Sequence, residues 1–308
     1  MSKTAFLFPG QGSQAVGMLA DLGSETMVRQ TFQEASGALG YDLWGLIQDG
    51  PAEALNSTDK TQPALLASGV ALWRLWQQRG GARPAFLAGH SLGEYTALVC
   101  AGVFNLGDGV RLVEKRGQLM QQAVPAGTGA MAAILGLEDD QVRAACAAAA
   151  EGDVVEAVNL NAPGQVVIAG SAAAVERAIA ACKSAGAKRA MALPVSVPSH
   201  CALMKPAAEQ LAEVLAGMSM HAAEIPVINN TDVAIETDSS QIRDALVRQL
   251  YSPVRWVEIV QRLKAEGVSR GYECGPGKVL SGLVKRIDKD MTVSALENAD
   301  AFAEALGG

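Results

Sequence analysis

The sequence is poor in basic residues and in histidine, and each shortage limits the functions that the chain can have. Its 308 residues carry 25 lysines and arginines against 32 aspartates and glutamates, a net charge of −7. Because no long Lys/Arg block offsets this charge, a nucleic-acid-binding protein is not expected. The chain has only three histidines, so few side chains are available as a general base near neutral pH.

Paired cysteines and long apolar runs are also missing. The five cysteines are scattered and form no Cys-x-x-Cys pair, which predicts reduced thiols and neither a disulfide framework nor a metal site. The first apolar run is too short for a signal peptide, and none is long enough to span a bilayer. These absences predict a soluble, cytoplasmic protein that does not associate with membranes. Hydrophobic residues make up 49% of the chain, enough for a large core.

The stretch GHSLGE, residues 89–94, places a serine between two glycines. A short apolar run precedes it and an apolar, helix-like stretch follows, which is the strand–turn–helix context of a nucleophile elbow. Glycine is needed on both sides because such a sharp turn leaves no room for side chains beside the serine. The turn also points the first N–H groups of the helix towards the atom that the serine attacks. Ser91 is therefore the candidate nucleophile, and a solvated serine in a glycine-rich turn is the alternative.

Strands and helices alternate on both sides of an alanine-rich segment, residues 127–194. This segment follows the strand–helix–strand–strand–helix–strand order of a ferredoxin-like subdomain. The flanking residues, 1–126 and 195–308, predict one discontinuous α/β domain with a mostly parallel sheet. The predicted elements of that domain include strands at 5–8, 85–88, 225–229 and 269–273, and helices at 64–78, 106–124, 201–216 and, as one last long helix, after Gly-Pro-Gly at 275–277.

His200 is the best candidate for the base that Ser91 needs. It lies in a proline-constrained loop, 194–200, that leads from the small subdomain back to the main domain. His90 is adjacent to Ser91, but neighbouring side chains on an elbow point apart, and His221 lies in a polar connection. A histidine that only caps the following helix is the alternative for His200.

Arg116 stands in the middle of the apolar face of its helix. Leu112 and Val113 precede it, and Leu119 and Met120 follow it, at three- and four-residue spacing. An arginine that points inward must be paired, because an isolated buried charge costs several kcal/mol. The pattern allows a salt bridge to a protein carboxylate, or a bidentate fork for the carboxylate of a substrate.

Taken together, these features resemble the bacterial malonyl-CoA:acyl-carrier-protein transacylases, the acyltransferases of type II fatty-acid synthesis. The resemblance covers essentially the whole chain and implies an α/β-hydrolase-like core with an inserted ferredoxin-like subdomain. Separate motifs carry it in order: FPGQGSQ (8–14), TQPAL (61–65), GHSLGEYTAL (89–98), EKRGQLMQ (114–121), GAMAAILGL (129–137), NAPGQVVIAG (161–170), VPSH (197–200), QLYSPVRW (249–256) and GPGKVL (275–280).

The resemblance also implies a role for each matching position. The implied roles are the acylated nucleophile for Ser91, general base and then acid for His200, an oxyanion hole of backbone N–H groups for Gln11 and Leu92, the site of the malonate carboxylate for Arg116, a wall of the acyl pocket for Gln62, and a main-chain carbonyl that orients the histidine for Gln249.

The implied reaction moves a malonyl group from malonyl-CoA to the phosphopantetheine thiol of acyl carrier protein in a ping-pong scheme, without a cofactor. The enzyme is expected to act as a monomer, with acyl carrier protein and the coenzyme A thioester as its partners. The carrier is expected to be acidic, so docking needs a local basic patch on this acidic chain. Candidates for this patch are Lys188, Arg189, Lys278, Lys285 and Arg286, each of which is equally compatible with an ordinary solvated surface residue.

Three alternatives share part of this pattern. A serine hydrolase explains the elbow but not Arg116 on an apolar face. A non-catalytic carrier-binding protein explains neither Ser91 nor His200. A polyketide acyltransferase acting in trans differs only in its carrier.

Overall fold

The computed structural model describes residues 3–195 and 197–307. The predicted domain ends at residues 1, 2 and 308, and residue 196 of the predicted histidine loop, lie outside the described residues. Within the described part, no helix is both long enough and apolar enough to cross a bilayer.

The first third of the chain builds the centre of one sheet and the helices around it. A 3-10 turn, Ala20–Leu22, follows the first strand. The elements are β1 (Lys3–Phe8), α1 (Thr26–Leu39), α2 (Leu43–Asp49), α3 (Ala52–Leu55), α4 (Thr58–Gln78), β2 (Phe86–Gly89), α5 (Leu92–Cys100) and α6 (Leu106–Ala123).

The alanine-rich segment builds a second sheet with two helices. Its elements are β3 (Gly129–Leu135), α7 (Asp139–Ala150), β4 (Val155–Ala162), β5 (Gln165–Ser171), α8 (Ala172–Ser184) and β6 (Arg189–Ala192).

The last third returns to the first sheet. After a 3-10 turn, Ala202–Met204, the elements are α9 (Lys205–Ala216), β7 (Val227–Ile228), α10 (Ser239–Gln249), α11 (Trp256–Ala265), β8 (Val268–Glu273), α12 (Val279–Ile287), β9 (Thr292–Ala295) and α13 (Ala299–Gly307).

The main sheet has the strand order β7-β2-β1-β8-β9 among the described residues, and every neighbouring pair is parallel. Its central strand, β1, buries a continuous apolar run, Ala5–Phe8, because helices cover both faces. The carboxyl ends of β1 and β2 lie side by side, with Phe8 opposite Gly89. This edge carries the turn that contains Ser91.

The small sheet has the order β4-β5-β3-β6, and all its pairs are antiparallel. With α7 and α8 on one face, this is the ferredoxin-like arrangement that the sequence predicts. A mixed α/β fold with a mostly parallel sheet and a small antiparallel sheet is thereby confirmed.

Backbone hydrogen bonds join strand β4 to the main part of the chain. The Leu160 N–H donates to the Val254 carbonyl at 3.0 Å, and the Val254 N–H donates to the Val158 carbonyl at 2.8 Å. Val254 lies five residues after Gln249, so the small sheet is fixed beside the end of α10. The cleft between the two sheets therefore opens next to Ser91.

Three predicted elements differ from the structure. The predicted last long helix is wrong: α12 ends at Ile287, and the chain then adds β9 beside β8 before α13. Strand β9 pairs in parallel with the edge of β8. It is short and only partly buried, so its own sequence is a weak indication of a strand. The predicted strand 225–229 forms a ladder only over Val227–Ile228, at the edge of the sheet. Helix α4 begins at Thr58, six residues earlier than predicted, with Pro63 inside it.

Candidate active site

The turn between β2 and α5 has the geometry of a nucleophile elbow. Ser91 has φ 52° and ψ −108°, a strained conformation for a residue with a side chain. A Cβ atom at Gly89 would lie 1.9 Å from the carbonyl carbon of Gly93, and one at Gly93 would lie 2.0 Å from the Phe8 oxygen. Both glycines are therefore required by contact, as the sequence predicts.

His200 is in hydrogen-bond contact with Ser91. Its Nε2 lies 2.7 Å from Ser91 Oγ, and its Nδ1 lies 2.7 Å from the main-chain oxygen of Gln249. Because a carbonyl oxygen only accepts, the proton of a neutral ring sits on Nδ1 and Nε2 is left to accept from the serine hydroxyl. His200 itself has φ 67° and is held by its N–H, which donates to the Leu250 oxygen at 2.9 Å.

The surroundings of His200 keep its ring neutral. Burial, reinforced by the positive charge of Arg116, lowers the pKa of His200 to about 3. The Gln249 carbonyl works in the opposite direction but does not offset burial. A neutral ring at physiological pH can accept a proton, which is what a general base must do.

Arg116 reaches the same serine from helix α6. Its side chain is 1% exposed, and Nη2 donates to Ser91 Oγ at 3.3 Å. Its other partners are amides: Nη1 donates to Gln62 Oε1 at 2.8 Å, and Nη2 donates to Gln249 Oε1 at 3.1 Å. The guanidinium carbon lies 5.1 Å from the centre of the Tyr95 ring. Among the described residues Arg116 forms no salt bridge, so the carboxylate-pair alternative is not realised.

Gln62 lies behind Arg116 and is not among the described residues that line the cavity beside Ser91. Its side chain is 1% exposed, and its Nε2 contacts Met120 Sδ at 3.6 Å. Gln62 therefore contacts Arg116 directly, and its role as a wall of the acyl pocket stays a prediction. The earlier start of α4 explains this position, because it places Gln62 inside the helix and facing α6.

A buried carboxylate, Glu94, lies beneath the elbow. Its Oε2 accepts from Gln249 Nε2 at 2.8 Å and from the Asn230 N–H at 2.9 Å. Asn230 in turn accepts from the Ser91 N–H at 2.7 Å and donates to the Gly89 oxygen at 2.7 Å. Sequence reasoning missed Glu94 and Asn230. The available signals were a charged residue at the start of an apolar helix and two asparagines directly after a strand.

Gln11 and Leu92 lie with Ser91 in the lining of a cavity of about 460 Å³. Neither backbone N–H has an acceptor within the part of the chain that the structure describes. Leu92 is the first residue of α5, where N–H groups have no partner inside the helix. The same cavity is lined by Ser91, His200 and Arg116, so the structure brings five of the predicted positions together.

The predicted basic residues lie away from this cavity. Lys188, Arg189, Lys285 and Arg286 are all exposed, and none is among the described residues that line the cavity. Arg286 Nη1 donates to Gln165 Oε1 at 2.8 Å, across the two sheets. Lys278 is exposed too and lies 3.5 Å from Glu297.

The remaining histidines and the nearest cysteine point elsewhere. His90 Nε2 contacts Asn161 Oδ1 at 2.8 Å and does not reach Ser91, while His221 is exposed. Cys201 follows the histidine directly, but it is buried, and its Sγ donates to the Pro198 oxygen at 3.2 Å. No group of three or more potential metal-ligating His, Cys, Asp or Glu side chains occurs within residues 3–195 and 197–307.

The comparisons with known proteins cover nearly the whole chain and agree with one another. The acyl transferase domain family matches residues 5–296. The chain is 64% identical over 307 residues to the malonyl CoA-acyl carrier protein transacylase of Escherichia coli, with 99% of each chain covered. The crystal structure of an acyl carrier protein S-malonyltransferase from Vibrio cholerae is 64% identical, with a TM-score of 0.97 over 98% of this chain and 99% of that one.

A second solved structure contains a carrier protein. It shows a malonyl-transacylase in complex with a type II PKS acyl-carrier protein, at 57% identity and a TM-score of 0.98 over 99% of each chain. Because both the family match and the identities span nearly the whole length, the chain belongs to the acyl transferase family, among the malonyl CoA-acyl carrier protein transacylases.

Proposed function

We propose that this chain transfers the malonyl group of malonyl-CoA to the phosphopantetheine thiol of acyl carrier protein through a malonyl ester on Ser91. One observation carries the proposal. A buried arginine without a carboxylate partner lies 3.3 Å from a serine oxygen that is itself 2.7 Å from a neutral imidazole. A nucleophile, a base and a carboxylate-binding fork together match a short acyl group with a free carboxylate at its far end.

The first half-reaction loads the serine. Ser91 Oγ attacks the thioester carbon while its proton moves to Nε2 of His200. The oxygen that becomes negative accepts hydrogen bonds from the N–H groups of Gln11 and Leu92, each worth about 3 kcal/mol in such a hole. When the tetrahedral intermediate collapses, the C–S bond breaks and the coenzyme A sulfur leaves with the proton from His200.

The second half-reaction runs the same steps backwards with another thiol. The carrier's thiol gives its proton to His200, and its sulfur attacks the ester carbon. The C–O bond breaks, and the Ser91 oxygen regains the proton from His200. Each step uses only side chains and N–H groups of this chain, so the proposed reaction calls for no metal or cofactor.

A neutral orienting group for His200 suits this substrate. In a Ser-His-Asp triad the third group is a carboxylate, whereas here it is the Gln249 carbonyl. A carboxylate at that position would add a second negative charge beside the malonyl carboxylate. The neutral carbonyl fixes the ring tautomer without repelling the substrate.

Acyl carrier protein is the proposed macromolecular partner, and the chain is proposed to act as a cytoplasmic monomer. Docking of an acidic carrier is proposed to use Lys188, Arg189, Lys285 and Arg286. A type II polyketide carrier is the second candidate partner, because a 57% identical malonyl-transacylase was solved with one. Transfer assays with a fatty-acid carrier and a polyketide carrier distinguish the two.

Intact-mass spectrometry after separate incubation with malonyl-CoA and acetyl-CoA tests the proposal. A malonyl adduct on Ser91, little or no acetyl adduct, and loss of the malonyl adduct on addition of holo-carrier are expected. Release of free malonate in place of transfer would indicate a hydrolase. The absence of any adduct would indicate a non-catalytic carrier-binding protein.

A further inference from the structure

Among residues 3–195 and 197–307, Glu94 is the one buried carboxylate in contact with the groups around Ser91, and the proposed reaction gives it no step. Its side chain is 2% exposed. It lies on α5 and meets two other segments, the loop after β7 through Asn230 and the end of α10 through Gln249. Burying a carboxyl group costs free energy unless hydrogen bonds compensate it. The contacts of Glu94 with these three segments therefore indicate a specific role.

Glu94 determines which way the Gln249 amide faces. The Gln249 Nε2 group donates both to Glu94 Oε2 at 2.8 Å and to the Ser91 main-chain oxygen at 3.0 Å. Both of these partners only accept, so the NH₂ end of the amide must face them. The carbonyl end, Oε1, is then turned towards Arg116 and accepts from its Nη2 at 3.1 Å. If the amide turned over, its NH₂ group would oppose the donors of Arg116.

The amide also separates the carboxylate from the arginine. Glu94 and Arg116 form no ion pair in the described structure, although they share Gln249 as a neighbour. A direct pair would fill the fork of Arg116 and compete with the carboxylate of a substrate. With Gln249 between them, the guanidinium is oriented by a neutral oxygen and keeps its capacity for an incoming carboxylate.

We propose that Glu94 is a positioning residue for malonyl selectivity, which orients Arg116 through the side-chain amide of Gln249. The proposal rests on the proposed function and deepens it. It assigns the preference for a carboxylate-bearing acyl group to a chain of three side chains, Glu94, Gln249 and Arg116.

The geometry separates the role of the Glu94 oxygen from the role of its charge. Both hydrogen bonds fall on the same atom, Oε2. A glutamine can place its carbonyl oxygen there, whereas a methionine of similar size has no acceptor. Burial raises the pKa of Glu94 to about 7, so the site already tolerates the uncharged form of this group.

The experiment measures the ratio of malonyl to acetyl acylation rates at Ser91 for a set of variants. Glu94→Met is expected to lower the ratio by about tenfold, the equivalent of about one charge-assisted hydrogen bond. Glu94→Gln is expected to restore most of the ratio. Glu94→Asp, whose side chain is too short to reach Gln249, is expected to lower the ratio as the methionine variant does. It replaces the methionine variant in the test if that variant does not fold.

Glu273→Met is the matched control. Glu273 is also a buried glutamate, and its oxygens accept from the N–H groups of Leu280 and Ser281, remote from Arg116. This variant is expected to lose stability but to keep the wild-type ratio. If it changed the ratio as much as Glu94→Met does, general loss of structure would explain both and the proposal would be overturned.

A double-mutant cycle tests the route through the amide. In a Gln249→Met background, Glu94→Met is expected to cause no further change in the ratio, because the amide it acts through is gone. Additive effects would overturn the proposal, and so would a higher ratio in Glu94→Gln, which would indicate charge repulsion. A wild-type protein that forms no malonyl adduct refutes the proposed function instead, so the two failures are distinguishable.

Discussion

Two strand-to-helix turns in the main sheet have the same construction but differ in whether the protein itself supplies an acceptor for the first N–H groups of the helix. Strands β2 and β8 flank β1, and each runs through a glycine-rich turn into a short helix. At the second turn, Glu273 accepts from the N–H groups of Leu280 at 2.9 Å and Ser281 at 2.8 Å, so the helix start is filled by the chain itself. At the first turn, the Leu92 N–H has no acceptor among the described residues, because Glu94, although it lies in the first turn of α5, accepts from Asn230 and Gln249 instead. A helix N-terminus can receive a substrate oxygen only where the protein leaves it open.

Removing the serine from each turn should give the largest contrast. Ser91→Ala is expected to abolish the covalent malonyl adduct, because the alanine has no atom that can carry the ester. Ser281→Ala at the other turn is expected to leave adduct formation intact. Peptide mapping of the adduct checks both, and a malonyl group found on another residue would contradict the assignment of the nucleophile.

Removing the base should produce the next largest effect. His200→Ala is expected to slow acylation of Ser91 by about 10²- to 10⁴-fold, the usual contribution of a positioned general base. His90→Ala is expected to act mainly through packing against Trp256, whose ring lies 5.6 Å away. Rapid-quench measurement of acylation compares the two, and a larger effect for His90→Ala would show that the base is wrongly assigned.

Replacing the arginine should change which acyl group is accepted. Arg116→Ala is expected to lower the malonyl-to-acetyl ratio by at least about a hundredfold, because two charge-assisted hydrogen bonds to the substrate carboxylate are lost. Arg116→Lys is expected to recover little, since a single ammonium cannot reproduce the fork. The ratio of transfer efficiencies is the measurement. An unchanged ratio in Arg116→Ala would make this arginine purely structural.

Removing the acceptor at the second turn, Glu273, should lower the stability of the protein but leave the acylation of Ser91 unchanged. Glu273→Ala leaves the N–H groups of Leu280 and Ser281 without their acceptor and is expected to lower the free energy of unfolding by about 1–3 kcal/mol per orphaned group. Acylation per folded molecule is expected to match wild type. Urea denaturation and active-site titration by mass check the two parts, and a selective loss of acylation would show that this turn belongs to the active site.

The smallest expected effect concerns pH. Because the pKa of His200 is lowered to about 3, its ring stays almost fully unprotonated between about pH 5 and 8. Acylation is therefore expected to show no loss near pH 6.5, where an ordinary histidine gains its proton. A rate profile between about pH 5 and 8 tests this, and a clear inflection near 6.5 that persists in the Glu94→Gln and Glu273→Gln controls would contradict the buried, neutral state of His200.

The sequence predicts the parts of the site that depend on local pattern. The two glycines around Ser91 follow from the crowding of a sharp turn, and the inward direction of Arg116 follows from helical spacing. The α/β class follows from alternating strands and helices. Each of these can be inferred from a pattern in the sequence itself, although the contact that excludes a side chain at Gly93 comes from Phe8 on β1.

The sequence does not predict the parts that depend on long-range contact. Gln62 and Gln249 meet Arg116 from helices that are far away in sequence, and no spacing rule brings them together. The strand β9 forms only because β8 offers a free edge, so its four residues gave no signal that could compete with a continuous helix. Glu94 is visible as an unexpected charge, but its partners are not.

Cys201, next to the base, has a consequence for the chemistry of thioesters. A thiolate exchanges readily with a thioester, so a reactive cysteine here would capture the acyl group as an enzyme thioester that competes with the ester on Ser91. Burial raises the pKa of Cys201 to about 12, and that of Cys146 likewise, so both remain protonated and inert. The thiol beside the base therefore stays out of the exchange between the two external thiols, and in the proposed reaction the acyl group is carried by the Ser91 oxygen.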